Sequence, residues 1–259
     1  MPGSLSRERW VSPARLSIQG RLTGMMILPS GMSSRRRSES PADRIYGWFK
    51  RGIDVLLSSI GLLVLLPVFA ILSVLIKLDS RGSIFYAQER IGMNRRRGRK
   101  TPHSGNERRR ADSFGQPFKI YKLRTMVSDA EKNTGPIWAS AQDARVTRMG
   151  RFLRQTRLDE TPQLWNVLRG EMSLVGPRPE RPSFVRSFAE TIPDYPKRCQ
   201  ALPGITGLAQ VKSHYDTSVD TVNRKLQYDL YYVRHGRLLL DLKIMAATVK
   251  VMARGEGAR

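Results

Sequence analysis

The sequence is poor in cysteine, histidine and acidic residues, and each shortage removes a class of function. A single cysteine, Cys199, excludes an internal disulfide and with it a disulfide-stapled scaffold. His103, His214 and His235 show no metal-ligand spacing. Asp and Glu number 22 against 45 Lys and Arg, leaving a formal net charge of +23 and a pI near 11.1. That excess draws the chain toward polyanions: nucleic acid, an anionic membrane face or phosphorylated substrates. No glycine-rich phosphate loop is legible either, because PGITGLAQ, from Pro203 to Gln210, has too few glycines for one.

One long apolar run stands against this polar background, from Ile53 to Ile76, with Asp54 its only charge. It is long enough to cross a bilayer, and in so polar a chain insertion outweighs a buried core helix. Pro67, near its middle, lacks an N–H and clashes with the carbonyl of Leu63, which predicts a break or bend. Arg44, Lys50 and Arg51 precede the run, and Lys77, Arg81 and Arg90 follow it. Basic residues favour the cytoplasmic side, so a helix turned back at Pro67 satisfies both clusters where a straight span satisfies one. Residues 1–42 are rich in Ser, Arg, Gly and Pro and read as a disordered basic tail without the apolar core of a secretory signal. On that reading Met25, Met26 and Met32 are alternative translation starts.

The stretch richest in chemistry runs from Arg154 to Pro179, RQTRLDETPQLWNVLRGEMSLVGPRP. Asp159 and Glu160 are adjacent, with Arg154 and Arg157 upstream and Arg178 downstream. Thr161 reads as a helix cap and Pro162 as a first helical residue, so the acids precede a helix N-terminus, where anions gather. Two acids beside several arginines suit a divalent cation and a phosphorylated ligand. On spacing alone a solvated ion-pair cluster is the commoner arrangement. Gly176, Pro177 and Pro179 predict a rigid bend that swings Arg178 back toward the acids. Arg145, Arg148, Arg151 and Arg154 recur at helical spacing, and Leu164, Trp165, Val167 and Leu168 are expected in the core. Two alternating stretches, IFYAQERIG and FKIYKLRTM, read as strands; 226–233 and 238–250 read as helices with apolar faces.

The run around Asp159 resembles the signature of the bacterial sugar transferase family, the monotopic phosphoglycosyltransferases that start glycan assembly on a polyprenyl phosphate carrier. The likeness continues through QERIG at Gln88, FKIYKLRTM at Phe118, DARVTRMGRFLR at Asp143, PGITGLAQV at Pro203, YDLYYVRH at Tyr228 and LLLDLKIM at Leu238. It covers roughly Asp43 to Arg254. Two departures stand out. Residues 95–113 form a strongly basic insertion where the family has a tight turn, and Leu66-Pro67 stands where the family has Ser-Pro.

The resemblance implies an α+β fold: a membrane-embedded re-entrant helix hairpin over 43–79, then a small, mostly helical catalytic domain over 80–254 with short strands and interfacial amphipathic helices. Residues 255–259 would be a tail. It implies Asp159 as nucleophile, Glu160 as its assistant and both as ligands of Mg²⁺. Arg154, Arg178, Arg145, Lys122, Pro177 and Pro179 would bind the substrate and its phosphates, with Pro67 breaking the membrane helix. The partners would be a UDP-sugar and polyprenyl (undecaprenyl) phosphate, at the cytoplasmic face of a bacterial inner membrane whose anionic lipids meet the basic charge. A membrane-anchored nucleic-acid-binding protein is the alternative. It rests on charge alone, since no helix-turn-helix, RNA-recognition or finger pattern is present, and nucleic acid is not an expected partner. The sequence leaves the sugar and any self-association open.

Overall fold

The computed structural model describes residues 41–94, 114–128, 130, 143–213 and 219–254. Residues 1–40 of the basic tail, the insertion 95–113 and the tail 255–259 lie outside the described residues. What is described mixes helix and strand and is mostly helical, led by one long apolar helix.

That helix, α1 (Pro41–Asp79), runs on with Pro67 inside it, so of the two outcomes expected at Pro67, break or bend, the break does not occur. Pro67 leaves the Leu63 carbonyl without its usual donor. One lost hydrogen bond in so long a helix is absorbed more readily by bending than by ending. At about 1.5 Å per residue α1 would be roughly 58 Å long if straight. It does not project away from the rest of the chain, because both of its ends and its middle touch the same body of protein.

Near its start, Tyr46, Lys50, Asp54 and Ser58 fall four residues apart and so share one face. Lys50 Nζ donates to Asp241 Oδ2 at 2.8 Å and to the Val175 carbonyl at 3.1 Å, and Tyr46 OH donates to Asp241 Oδ2 at 2.8 Å. Asp54 accepts from the Leu174 N–H, and Arg51 donates to the Val167 and Leu168 carbonyls. At the middle, Gly61 makes room for Leu164, whose Cδ1 would stand only 3.0 Å from an added Cβ, closer than ordinary contact. At the far end Leu72 and Ile76 pack with Leu123 and Leu153, and Arg124 donates to the Ile76 and Ser80 carbonyls. Leu56, Ile60, Leu63, Val64, Leu66, Ile71 and Val74 meanwhile remain at least half exposed, an apolar flank among the described residues.

The rest is built from short elements. Strands β1 (Phe85–Ile91) and β2 (Pro117–Leu123) pair antiparallel, with Tyr86 opposite Lys122, Gln88 opposite Ile120 and Arg90 opposite Phe118. The pairing closes where Gly92 N–H meets the Gln116 carbonyl, on the described residues that flank the insertion. Helix α2 (Arg148–Thr156) is capped by Thr147, whose hydroxyl accepts from the Gly150 N–H. A 3₁₀ turn (Leu158–Glu160), helix α3 (Gln163–Leu168) and strand β3 (Ser173–Val175) follow. Then come α4 (Pro182–Thr191), a second 3₁₀ turn (Tyr195–Gln200) and β4 (Gly204–Thr206), parallel to β3. Helices α5 (Leu208–Lys212), α6 (Val219–His235) and α7 (Leu238–Ala253) complete the chain.

Ile120 of β2 buries against Val167 and Met172, so the β2 face that carries Ile120 and Lys122 looks toward α3. Trp165 does not join this core as expected. It is half exposed on α3 while Val167 is fully buried, because one short helix can turn only one side inward.

Candidate active site

The two acids sit in the 3₁₀ turn between α2 and α3. Arg157 ends α2 in the left-handed conformation, φ 57°, which for a side chain other than glycine costs of order 1 kcal/mol and turns the chain sharply. The next residues are thereby thrown inward, and Asp159 is only 8% exposed. Thr161 does not cap α3. Its hydroxyl donates back to the Leu158 carbonyl at 2.7 Å, Pro162 occupies the cap position, and the Leu164 and Trp165 N–H groups bond to the Thr161 and Pro162 carbonyls. A six-residue helix with its first donors so used is no anion site, and the charge balance must come from side chains.

It does. Glu160 Oε1 accepts from Lys122 Nζ at 2.6 Å and from Arg178 at 2.5 Å. Burial alone would raise the Glu160 pKa, yet the Arg178 and Lys122 charges outweigh it and hold Glu160 well below the usual carboxylate range. Asp159 is the opposite case. Among the described residues no hydrogen bond or ion pair reaches its carboxylate. Burial pushes its pKa up, Lys122 opposes most strongly, and the Glu160 charge adds to the rise. Two adjacent carboxyls thus have divided roles: one locked as an anion, the other unpartnered beside a cluster of cations.

Arg178 reaches Glu160 because its turn is held through backbone carbonyls. Pro177 O accepts from Gly204 N–H, Arg178 O from Arg198, Pro179 O from Arg90 and Glu180 O from Ile91 N–H. Gly176 makes the bend possible, since a Cβ there would collide with the Leu202 carbonyl. Pro177 and Pro179 are themselves buried and shape the turn. Arg198 is held in turn by Asp229 at 2.7 Å and Tyr195 OH at 2.7 Å, all deep in the protein. Burial lowers the Arg90 pKa to about 10, against the pull of Glu180.

Of the remaining expected residues, Arg154 donates from Nε to Thr125 Oγ1 at 3.0 Å, its pKa lowered by burial and supported by the Asp159 charge. Arg145 lies ahead of α2 rather than on it and grips Asp143 with two nitrogens, at 2.8 and 2.5 Å. Those hydrogen bonds bring Asp143 down to about 2. Sequence reading missed Arg90, Arg198, Asp229 and Asp143. Gln88 to Gly92 was marked as a motif, but neither Arg198 nor Asp229 lies near the acids in sequence, and only the fold reveals their part. Burial pushes the Cys199 thiol up to about 11, so it is no nucleophile at neutral pH.

No group of three His, Cys, Asp or Glu side chains suited to a metal occurs among the described residues. A hard divalent ion that takes one or two carboxylates and fills its sphere from substrate phosphates and water nevertheless fits Asp159 and Glu160.

Comparison with known proteins gives a consistent outcome. The family model described as "Bacterial sugar transferase" matches residues 45–255. The chain is 38% identical over 215 residues to a UDP-N-acetylgalactosamine-undecaprenyl-phosphate N-acetylgalactosaminephosphotransferase of Aeromonas hydrophila, covering 83% of this chain and 46% of that protein. It is 36% identical over 214 residues to a UDP-glucose:undecaprenyl-phosphate glucose-1-phosphate transferase of Klebsiella pneumoniae, 82% and 41% of the two chains. It is 33% identical over 228 residues to the exopolysaccharide production protein ExoY of Sinorhizobium fredii, 83% and 89% of the two chains. The chain therefore spans less than half the length of the first two relatives and most of the third.

Proposed function

The chain belongs to the bacterial sugar transferase family, and from that premise we propose that it transfers a sugar 1-phosphate from a UDP-sugar to polyprenyl phosphate, releasing UMP. The names of the relatives, which act on undecaprenyl phosphate with N-acetylgalactosamine or glucose donors, support that reaction class. The observation that carries the proposal is the buried, unpartnered Asp159 carboxylate beside a Glu160 clamped by Lys122 and Arg178.

In the first step an Asp159 oxygen attacks the sugar-linked phosphorus of the UDP-sugar. The bond from that phosphorus to the bridging oxygen breaks, and UMP leaves with the electron pair. The sugar phosphate is now joined to Asp159 as an acyl phosphate. In the second step an oxygen of polyprenyl phosphate attacks the same phosphorus, the Asp159 carboxylate leaves, and a polyprenyl-diphosphate sugar results. Lys122, Arg154 and Arg178 supply the positive charge that lets one anion approach another. Magnesium bound by the two carboxylates would offset further charge on the diphosphate. Glu160 keeps Lys122 and Arg178 in place between turnovers.

The lipid acceptor gives α1 its purpose. A helix with its start, middle and end on one body of protein, and an apolar flank left bare, suits entry into one face of a bilayer and return to it, here the cytoplasmic face of a bacterial inner membrane. The flanking cations agree with that topology. The nucleic-acid reading gains nothing from the site, where Lys122, Arg178, Arg145 and Arg198 are each paired with a carboxylate instead of lying free along a face.

The test is a single-turnover measurement on the protein in lipid nanodiscs. UDP-sugar without acceptor should release UMP stoichiometric with enzyme and leave a sugar-phosphate mass on the peptide containing Asp159; Asp159→Asn should do neither. UMP release by Asp159→Asn at near-normal rate would eliminate the covalent route.

A further inference from the structure

One wall of this site has no role yet. In the β1–β2 pairing Tyr86 lies directly opposite Lys122, and Gln88 opposite Ile120, so their side chains share the face on which Lys122 meets Glu160. Directly opposed residues on an antiparallel pair stand about 5 Å apart at Cβ. Tyr86 is 43% exposed, and Gln88 is partly so.

These two side chains are wired to the catalytic turn. Arg90 donates to the Pro179 carbonyl at 3.0 Å with one guanidinium nitrogen and to Gln88 Oε1 at 2.5 Å with the other. Arginine can only donate, so Gln88 must present its oxygen to Arg90 and its NH₂ outward. One of those N–H bonds goes to Tyr86 OH at 3.2 Å. The phenol accepts there, which leaves its own proton to donate. The wall therefore offers two neighbouring donors, the second Gln88 N–H and the Tyr86 O–H, at the hydroxyl end of an exposed aromatic ring.

We propose that Tyr86 and Gln88 read the sugar of the donor, taking its oxygen atoms as hydrogen-bond acceptors with the ring against its C–H face. This rests on the reaction assigned above. The position selects the sugar over the base: the phosphorus attacked by Asp159 carries the sugar one oxygen away, whereas uracil lies beyond a second phosphate and the ribose. A side chain next to Lys122 meets what is attached to the reacting phosphorus. Once a bound sugar covers these exposed groups, donors without a matching acceptor discriminate among hydroxyl epimers, because a misplaced oxygen leaves an N–H or O–H shut off from water and unpaired.

The test uses the full-length protein in nanodiscs, a panel of UDP-sugars and UDP itself. Tyr86→Phe removes the hydroxyl and keeps the ring. Gln88→Glu keeps the Arg90 partner and replaces the donor by an acceptor. Each variant should change the ratio of kcat/KM between the best sugar and its epimers by roughly tenfold or more, while the affinity for UDP, read by calorimetry, stays within about twofold. For a variant too slow to assay, the ratio of UDP-sugar to UDP affinity serves in place of the rate ratio. Weakened UDP binding with the sugar ratio unmoved would assign the wall to the nucleotide and overturn the inference, as would an unmoved ratio of any kind. Failure of the unaltered protein to turn over any UDP-sugar would instead strike the reaction itself.

Discussion

The salt bridge behind the turn that carries Arg178 makes the sharpest stability prediction. Arg198 and Asp229 are 7% and 3% exposed and meet at 2.7 Å, and the same guanidinium nitrogen holds the Arg178 carbonyl at 2.8 Å. Asp229→Asn keeps the shape and deletes the charge. An arginine left buried without its counter-ion costs about 3–5 kcal/mol. For a domain of this size 1 kcal/mol moves the melting temperature by about 2–4 °C, so the variant should melt roughly 6–20 °C lower. Replacing both partners by apolar side chains, Arg198→Met with Asp229→Leu, should recover most of that loss, since neither desolvated charge remains. It should not recover activity, because the Arg178 carbonyl has lost its donor and the turn its aim. Intrinsic tryptophan fluorescence in nanodiscs gives the melt, and UMP release gives kcat. An Asp229→Asn protein melting within about 2 °C of the parent would refute the burial argument. A double variant restored in both melt and rate would refute the positioning role of Arg198.

Three further outcomes follow from the same site. Arg178→Ala should lower kcat by about two orders of magnitude, the usual cost of a lost transition-state contact, and a change below about threefold in the UMP assay would remove Arg178 from the phosphate. As the proposed nucleophile Asp159 would have to be ionised, and burial raises its pKa, so the rate should climb with pH along a limb above the ordinary aspartate range. Lys122→Met, which deletes the strongest opposing charge, should move that limb higher, and a profile unchanged by the substitution would contradict the assignment. Asp143, held near 2 by Arg145 against about 3.9 in an unfolded chain, stabilises the fold above pH of about 4, and that contribution is lost as pH falls toward about 2. Asp143→Asn should flatten this part of the acid-unfolding curve.

Much of this was legible in the residues and some was not. The acid pair, its arginines and the Gly-Pro bend lie within one stretch of sequence, where adjacency and turn chemistry speak directly. Strand alternation placed Ile120 and Lys122 on one face, as found. Pro67 announced a break or a bend, and its local penalty could not choose between them, because the tertiary contacts at Lys50, Gly61 and Ile76 that hold the helix together were invisible. Thr161 misled in the same way: Pro162 follows it directly, and its hydroxyl finds the Leu158 carbonyl instead of a helix donor. Arg198 and Asp229 act from α6 and a 3₁₀ turn far along the chain, and no spacing rule connects them to Arg178.

The grip on α1 also has a consequence in time. Tyr46 and Asp241 are joined across 195 positions of chain, so the helix leaves the ribosome long before the last helix that clasps it exists. On the proposed topology its polar stripe at Lys50 and Asp54 would wait among lipid headgroups, unclaimed, through most of synthesis. A bilayer would thus hold the first piece in place while the remainder is made, and refolding from denaturant without a lipid mimic should stall at that late closure.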